Sequence, residues 1–529
     1  MEKSTFNLVK QILRSPLFLA KTIQEQQAIL DEILATGEIT REELFKLITD
    51  EAARTKQTEN NMETRAIAAN LEKLDYDTFI TFVMTGQIRG EKLLALCSGS
   101  EKLNGYCNRA FQTVTREGVL VGIPQDQYLF RILLDRMGIR IPSGKTPRQI
   151  YIERTIGGNL WVFGKNNMGQ LGLGDDKWKT SPTLNKNLKN IVQASSGYDH
   201  SLCLDNQGRV WSFGENEFGK LGLGLKPLKD RRALIPELIT DLADIIQIST
   251  GNSHSLCLNN QGRVWAFGDA RFGQLGLGQF GQTVVNQQGY FDLNAKTNKD
   301  LPTIIPNLNN IVQISAGSNS SFFLDNQGKV WVCGENLFSR LGLGDSERRT
   351  VPTLIPNLEN IVQVSVGKGN HALCLDHQGK VWAFGNNGNG QLGLGNNDQS
   401  RYPFPTLIPS LNNIVQVVAG VEHSFCLDDQ GRVWTFGSGM VWRLGLGDYE
   451  SRNIPTMIPS LDDIIRIDCG FYFSLCLDKQ GRVWTFGTGN DGQLGTKTTT
   501  ERIPTLIPNL NNIIDISCGN SSSFCIRKA

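Results

Sequence analysis

A four-residue motif, Trp-x-(Phe/Cys)-Gly, recurs seven times and constrains the fold of this chain more than any other feature. Successive copies are 50, 54, 66, 51, 52 and 50 residues apart. A period of this length, sustained to the end of the sequence, is typical of proteins built from structural repeats. The seven tryptophans are Trp161, Trp211, Trp265, Trp331, Trp382, Trp434 and Trp484.

Each repeat contains the same segments in the same order. In the unit around Trp265, residues 255–268 contain two alternating apolar runs that flank a polar turn with glycine, which predicts a β-hairpin. A glycine-rich stretch at 274–278 and a proline-marked segment at 302–306 follow, and a β-branched run at 311–317 ends in glycine. This content corresponds to about four short strands per repeat, as in the blade of a β-propeller.

Together, these motifs resemble the repeat of the regulator of chromosome condensation family. The elements are Gly-Arg-Val-Trp-x-Phe-Gly, Gln-Leu-Gly, Pro-x-x-Ile-Pro, Ile-Val-Gln-Ile-Ser-x-Gly and His-Ser-Leu-Cys-Leu-Asp, and they span residues 158–528. The resemblance implies a seven-bladed β-propeller. The phase of the repeats predicts closure, because residues 159–164 lack the strands that normally precede this hairpin arm and residues 513–526 supply them. One blade should therefore contain both ends of the propeller, which pairs edges that would otherwise be exposed.

Composition argues against attraction by bulk charge. The 529 residues include 53 basic and 52 acidic side chains, so the net charge is +1 and nucleic acid binding by overall charge is not expected. No apolar stretch approaches the roughly 20 residues of a membrane-spanning helix, and the first residues lack the layout of a signal peptide. The sequence predicts a soluble intracellular protein, in the cytoplasm or the nucleus, without membrane insertion.

The region before the repeats has a different character. Residues 1–55 show helical periodicity, residues 55–69 read as a polar linker, and residues 70–152 contain several short helical patterns. The last segment is similar to an F-box-like domain, a compact helical trio that docks a Skp-type adaptor of a cullin ubiquitin ligase. An unrelated helical cap, with leucines 93, 94 and 96 in its core, is the alternative. The resemblance implies that adaptor binding uses Leu74, Phe79, Val83, Leu93 and Leu96.

The fold expected for the whole chain is therefore mainly β: a seven-bladed β-propeller over residues 153–529, preceded by a small all-α N-terminal domain. The sequence contains no complete motif of a known catalytic site. Residues 138–146 resemble a phosphate loop, but the first glycine is displaced and Pro142 removes an amide from the cradle. We expect no catalytic residues and no cofactor.

Four histidines share one repeat position, which is occupied by serine or phenylalanine in the other units. Histidines in separate blades cannot converge on one metal ion, so we expect no metal site. A hydrogen bond that anchors a loop is the preferred role, and contact with a partner is the alternative. The histidines are His200, His254, His371 and His423.

The loops that follow the Trp-x-Phe-Gly motif differ between units, whereas the Asp-x-Gln-Gly turns are nearly identical. If the strands alternate in direction, these variable loops share a face with the Gly-x-x-His loops, and variable loops on a rigid scaffold are a usual place for binding. Trp442 has no counterpart in other units and is expected to be an exposed anchor. The candidate partner-binding residues are Tyr198, His200, Phe218, His254, Phe272, His371, His423 and Trp442.

Two functions fit these observations. In the first, the propeller recruits a protein partner and the F-box-like domain links it to a cullin-type ubiquitin ligase. In the second, implied by the propeller family, the protein is an exchange factor or regulator of a Ran-type small GTPase. A wedge for nucleotide exchange could be formed by Lys226, Pro227, Leu228 and Lys229. The alternative is an ordinary unit in which this segment lies flat, with Leu228 packed inward and the charges in water.

Overall fold

The computed structural model describes residues 115–116, 119–120, 157–224, 226, 228–278, 298–395 and 401–528. All of them belong to one of the two compact units into which the chain divides. The predicted N-terminal helices, the linker and the adaptor-binding side chains Leu74, Phe79, Val83, Leu93 and Leu96 lie outside the described residues. Strands β1 (Thr115–Arg116) and β2 (Val119–Leu120) pair antiparallel. These four residues lie in residues 109–127, an insertion between the helical patterns of the segment similar to an F-box-like domain.

The remaining strands follow the repeats of the sequence. The first groups are β3 (Gly158–Gly164), β4 (Lys179–Leu184), β5 (Ile191–Ser196), β6 (His200–Asp205), β7 (Val210–Glu215), β8 (Arg232–Leu238), β9 (Ile245–Thr250), β10 (His254–Asn259), β11 (Val264–Gly268), β12 (Lys299–Ile304), β13 (Ile311–Ala316), β14 (Ser320–Asp325), β15 (Val330–Gly334) and β16 (Arg349–Leu354). The later groups are β17 (Ile361–Val366), β18 (His371–Asp376), β19 (Val381–Asn386), β20 (Arg401–Leu407), β21 (Ile414–Ala419), β22 (His423–Asp428), β23 (Val433–Gly437), β24 (Arg452–Met457), β25 (Ile464–Cys469), β26 (Phe473–Asp478), β27 (Val483–Thr488), β28 (Thr500–Leu506), β29 (Ile513–Cys518) and β30 (Ser522–Lys528). Short 3₁₀ helices occupy Glu217–Gly219, Lys229–Arg231, Leu337–Ser339 and Met440–Trp442.

The strands form repeated antiparallel sheets of four. Five of these sheets are separate. Two further groups of four, β5 to β8 and β29, β30, β3 and β4, form one eight-stranded sheet because Gly158 of β3 pairs with Ile191 of β5. The first strand of each group contacts the first strand of the next, in the order β5, β9, β13, β17, β21, β25, β29 and back to β5. The predicted mainly β fold of repeated four-stranded units is confirmed, with these first strands as the inner strands of a propeller-like ring.

The two ends of the repeat region share one sheet, as the phase of the repeats predicted. Strand β30 pairs with β3 over its whole length, from Gly158 opposite Lys528 to Gly164 opposite Ser522. Strand β29 lies on the inner side of β30, and β4 lies on the outer side of β3. The pairing leaves neither β3 nor β30 with an open edge, which removes a template for aggregation.

Glutamine side chains join neighbouring inner strands. The Gln193 amide donates to the carbonyl oxygen of Ile248 (3.1 Å), and its oxygen accepts the Ile248 N–H (3.0 Å). A carboxamide has the donor and acceptor of a peptide group, so it continues the backbone pairing where the sheets diverge. The same bonds are made by Gln247, Gln313, Gln363 and Gln416.

The invariant turns have a structural cause. In the turn after β6, one oxygen of the Asp205 carboxylate accepts the N–H groups of Gln207 and Arg209, at 3.0 and 3.1 Å. The other oxygen accepts the Arg209 Nε–H (2.7 Å) and the indole N–H of Trp211 (3.2 Å). One buried aspartate thus closes the turn and orients the tryptophan of its motif, which explains why this end of the unit varies little.

The apolar core lies between the sheets. The phenylalanine of six motifs packs beneath the glycine-rich loop of its neighbour, as Phe213 does beneath Gly172, and Cys333 takes this place in the seventh. Gly172 has a φ of +64°, and a Cβ there would lie 2.9 Å from the Phe213 ring. Only glycine meets both conditions at low energetic cost.

Candidate protein-binding face

The inner loops and the loops after the Trp motif lie on one face, because every strand pairs antiparallel with its neighbour within a sheet. The two kinds of loop contact each other, since Lys165 Nζ in an outer loop lies 3.1 Å from Asp199 Oδ1 and 5.5 Å from the Tyr198 ring centre in an inner loop. The predicted sharing of a face is confirmed. The variable face is defined by two sets of described residues. The inner loops are 197–199, 251–253, 317–319, 367–370, 420–422, 470–472 and 519–521. The outer loops are 165–178, 216–224, 226, 228–231, 269–278, 298, 335–348, 387–395, 438–451 and 489–499.

The repeated histidines lie beneath this face and have no solvent exposure. Each of three reaches a serine of the next sheet: His200 Nε2 lies 3.0 Å from Ser255 Oγ, and the equivalent distance is 2.9 Å for His254 and for His371. Since Ser255 Oγ donates to the Lys220 carbonyl oxygen (2.9 Å), His200 Nε2 must carry the proton. The predicted anchoring bond is confirmed for these three histidines but not for His423. Direct partner contact by these histidines is wrong, because they are covered.

Burial also determines the charge of these rings. Desolvation lowers the pKa of His254 to about 4 and that of His371 to about 3. The pKa values of His200 and His423 are also lowered well below the ordinary value by burial. The four imidazoles are therefore neutral at pH 7 and act as polar links between sheets.

His423 differs from the other three. Among the described residues, neither of its buried ring nitrogens has a hydrogen-bond partner, and its ring meets Phe425 edge-on at 5.4 Å between centroids. The equivalent position in the next sheet is Phe473, which is also fully buried. This position therefore accepts either an imidazole or a phenyl ring.

The aromatic candidates differ in exposure. Tyr198 is well exposed, whereas Phe218 and Phe272 are partly buried on either side of Arg271, at 4.4 and 5.9 Å from its guanidinium carbon. These distances correspond to cation–π contacts that order the rings. Tyr198 is thus the candidate most open to a partner.

The expectation of an exposed Trp442 is wrong, since this residue is only 8% exposed. Tyr449 covers one side of the indole at 3.8 Å between centroids, and the guanidinium of Arg502 lies 4.6 Å from the ring. Burial of a large aromatic surface against a ring and a cation favours this arrangement. The exposed side chains nearby are Met440 and Tyr449, which sequence comparison had not singled out.

The proposed wedge segment is only partly described, and Pro227 lies outside the described residues. Lys226 is exposed and forms an ion pair with Glu237, while Leu228 is partly buried against the neighbouring core. Lys229 is exposed in its 3₁₀ turn, and Arg232 donates to the carbonyl oxygen of Asn167 (2.8 Å). An inward Leu228 with solvated lysines is the arrangement expected of an ordinary unit. A role of this segment in nucleotide exchange stays a prediction.

Three buried cations replace glutamine in the Gln-Leu-Gly loops of the variable face. Lys220 pairs with Glu215 (2.6 Å), Arg340 with Glu335 (3.0 Å) and Arg443 with Glu422 (3.3 Å). A glutamine side chain is neutral, so these three units have a buried ion pair beneath the variable face where the other units have none at this position. Of the three carboxylates, that of Glu422 is the most exposed, at 41%.

A lysine spans the centre of the variable face. Lys368 Nζ, in the loop after β17, donates to the carbonyl oxygen of Ser196 at the end of β5 (2.7 Å). Strands β5 and β17 are not neighbours among the inner strands, so this side chain bridges the opening between them. Asp468, on β25, is the first of the opposite charges that act on Lys368. Burial lowers the pKa of Lys368 to about 8 and raises that of Asp468 to about 6.

No cluster of three or more His, Cys, Asp or Glu side chains suited to a metal ion occurs in the described part of the chain. Within that part, no helix has the length and apolar character needed to cross a membrane.

Most of the chain matches known protein-family repeats. Residues 157–204 and 207–258 match the regulator of chromosome condensation (RCC1) repeat, and residues 285–529 match the RCC1-like domain. Protein pim1 of Schizosaccharomyces pombe is 26% identical over 399 residues, which cover 59% of this chain and 72% of that protein. The probable E3 ubiquitin-protein ligase HERC4 of Mus musculus is 30% identical over 224 residues, 41% of this chain but only 20% of the ligase.

Solved structures agree on the fold. Human WBSCR16 superposes with a TM-score of 0.62 at 22% identity, covering 70% of this chain and 99% of that one. Prp20p of Saccharomyces cerevisiae, described with its binding to Gsp1p and histones, gives 0.61 at 22% identity and covers 72% and 95%. From residue 157 onward, the chain therefore carries repeats of the regulator of chromosome condensation family.

Proposed function

We propose that this protein is an interaction scaffold whose variable face binds a protein partner. The observation that carries this proposal is the set of exposed apolar and aromatic side chains on that face, which includes Tyr198, Met440, Tyr449 and Tyr472. Large exposed side chains on loops held by a rigid framework are typical of binding surfaces. We further infer that the four-stranded groups are the blades of a closed seven-bladed propeller. Binding, not catalysis, is the activity this arrangement supports.

We also propose that residues 70–152 link the bound partner to a cullin-type ubiquitin ligase in the cytoplasm or the nucleus. The resemblance to an F-box-like domain supports this, together with the ubiquitin-ligase name of the HERC4 relative. The test is binding of a purified Skp-type adaptor to the full chain. We expect binding that is lost in Leu93→Glu/Leu96→Glu and kept in a Tyr472→Ser variant, because Tyr472 lies on the variable face. Absence of adaptor binding to the unmodified chain would refute the ligase link.

Regulation of a Ran-type GTPase is the second candidate, supported by the family and by the binding of Prp20p to Gsp1p. The test is release of labelled GDP from a Ran-type GTPase in the presence of the full chain. Because Leu228 packs inward and Lys226 pairs with Glu237, we expect little acceleration. Acceleration of about tenfold, equal to about 1.4 kcal/mol in the barrier, that is lost in Lys226→Glu/Lys229→Glu would favour exchange instead.

A further inference from the structure

One sector of the variable face departs from the rest of the repeats in sequence, at Trp442, and carries three large exposed side chains. Met440 is 61% exposed, Tyr449 is 59% exposed and Tyr472 is 41% exposed. The first two belong to the loop between β23 and β24, and Tyr472 belongs to the inner loop of the next sheet. We call the patch formed by Glu422, Met440, Tyr449 and Tyr472 the Tyr472 surface.

Buried side chains join these residues into one surface. Arg443 donates to the Met440 carbonyl oxygen (3.0 Å), pairs with Glu422 (3.3 Å) and lies 5.1 Å from the Tyr472 ring centre. Trp442, adjacent in sequence, supports Tyr449 from below. Each exposed member therefore rests on either Arg443 or Trp442, and the two neighbouring sheets contribute to a common patch.

Comparison with the other repeats shows that the support by Trp442 is specific to the sector, whereas the bond from Arg443 to the Met440 carbonyl recurs between Arg340 and the Leu337 carbonyl (3.4 Å). At the position of Trp442, the other units carry Gly169, Gly219, Gly273, Ser339, Gly390 and Gly492. In one of them, a Cβ on Gly219 would lie 2.4 Å from the Asp300 Cα of the next outer strand, so a tryptophan has no room. Trp442 therefore occupies a position that the fold otherwise keeps small.

The backbone of this loop is also unfavourable for its residues. Val441 has a φ of 57° and Trp442 a φ of 61°. A β-branched residue in the left-handed region is a genuine outlier, and such conformations cost about 1–3 kcal/mol each. Strain of this kind is concentrated at functional sites. Phe338 and Ser339, at the equivalent positions of another unit, have the same conformation, with φ of 57° and 59°. At the position of Trp442, five of the six other units carry glycine.

Charge indicates the kind of partner. The carboxylates at this sector reach solvent, with side-chain exposures of 41% for Glu422 and 81% for Glu450. Both carboxylates have a less exposed cation beside them: Arg443, 3% exposed, pairs with Glu422 (3.3 Å), and Arg452, 21% exposed, pairs with Glu450 (3.5 Å). The exposed cation of this sector, Arg502, stacks on Trp442. An approaching molecule therefore meets aromatic rings bordered by carboxylate oxygens, which suit a lysine or arginine beside an apolar side chain.

We propose that the Tyr472 surface docks a peptide segment of another protein that carries a lysine or arginine next to an apolar residue. The proposal rests on the proposed binding function of the variable face and specifies where and what that face binds. The apolar side chain packs against Met440 and Tyr449. The cationic side chain lies over Tyr472 and pairs with Glu422.

The test is selection of a phage-displayed library of short random peptides on the immobilised full chain. The dominant selected sequence is then synthesised, and its affinity is measured by fluorescence polarisation. We expect basic residues beside apolar ones, and a loss of affinity of about tenfold or more in Tyr472→Ser and in Glu422→Gln. The matched control is Val351→Ser, an equally exposed apolar residue on an outer strand, which should leave affinity unchanged. Unchanged thermal melting of each variant shows that folding is intact.

Several results would overturn the docking proposal. Selection of acidic peptides, failure to enrich any peptide, or full affinity in both Tyr472→Ser and Glu422→Gln would each refute it. If affinity is instead lost in Tyr198→Ser, the variable face binds at another sector, so the proposed function stands while this inference fails. If no substitution on the variable face changes the affinity for the peptide, both the proposed function and this inference fail.

Discussion

Arg466 Nε lies 2.6 Å from Asp515 Oδ1, and this ion pair joins the inner strands β25 and β29. Five other pairs of neighbouring inner strands are joined at the equivalent place, here called the seam, by a glutamine. At the preceding seam, Gln416 donates to the Ile467 carbonyl oxygen (2.9 Å) and accepts its N–H (3.0 Å). At the Arg466 seam, the corresponding N–H of Ile516 is accepted by the Asp515 carboxylate (2.9 Å). The charged pair therefore substitutes for the carboxamide link.

Restoring glutamine on one side only should be destabilising. Arg466→Gln leaves the buried Asp515 carboxylate without its cation, and removal of one partner of a buried pair costs about 3 kcal/mol. Arg466→Gln/Asp515→Gln should recover most of this loss, because it recreates the pattern of the other seams. Urea unfolding of the single and double variants measures the effect. A double variant as unstable as the sum of the single variants would contradict it.

Acidification should destabilise the propeller through its buried histidines. The pKa of His254 is lowered to about 4 in the folded protein, from about 6.5 in the unfolded chain. The stability contributed by a lowered pKa is present above pH 6.5 and is lost as pH falls toward 4, by about 3 kcal/mol for this residue. Asp468, with its pKa raised to about 6, and Asp515, whose pKa is also raised by burial, act in the opposite direction, but they are two groups against four histidines. The expected outcome is a melting temperature that falls from pH 7 to pH 5.

A variant without the titrating group isolates this effect. His254→Gln should reduce the slope of stability against pH between 7 and 5, even if it lowers stability at pH 7. An unchanged slope in His254→Gln would show that other groups dominate acid unfolding.

His423→Phe should stabilise the protein, although it alters a repeated residue. Both nitrogens of His423 are buried without a partner among the described residues, and an unpaired buried polar group costs about 1–3 kcal/mol. Phe473 at the equivalent position shows that the repeat accommodates a phenyl ring. We expect the free energy of unfolding to rise by about 1 kcal/mol. The matched control is His254→Phe, which breaks the bond to Ser321 and should lower it.

Local repetition explains which features the sequence predicted. The strand order, the shared sheet at the ends and the hydrogen-bonded histidines all follow from comparing equivalent positions within one chain. Trp442 was misjudged because the same comparison shows that a residue is unusual but not what covers it: Tyr449 lies in the same loop, and Arg502 belongs to the next sheet. The Lys368 contact with Ser196 joins residues 172 positions apart and does not recur between equivalent positions of the described residues, so no periodic pattern could reveal it.

The contact between Lys368 and Ser196 leads to the last prediction. Burial lowers the pKa of Lys368 to about 8 in the folded protein, whereas an unfolded chain holds this proton to about pH 10. Between these values the unfolded chain binds more protons, so stability due to this group rises with pH across the window. Lys368→Met keeps the length of the side chain and removes the proton. The unfolding free energy of the variant should therefore lack this component of the rise between pH 8 and pH 10.

Asp468 provides the control for this substitution. In Lys368→Met it loses one of the two cations that lower its pKa, Arg466 being the other, so its pKa should rise further and the variant should be less stable than the natural protein at pH 7. Adding Asp468→Asn removes this carboxylate while keeping an acceptor for the N–H of Cys518, which lies 2.7 Å from the carboxylate. The double variant should thus regain stability at pH 7 relative to Lys368→Met. Urea unfolding at pH 7, 8 and 10 measures both effects, and additive losses in the double variant would show that the two charges do not act on each other.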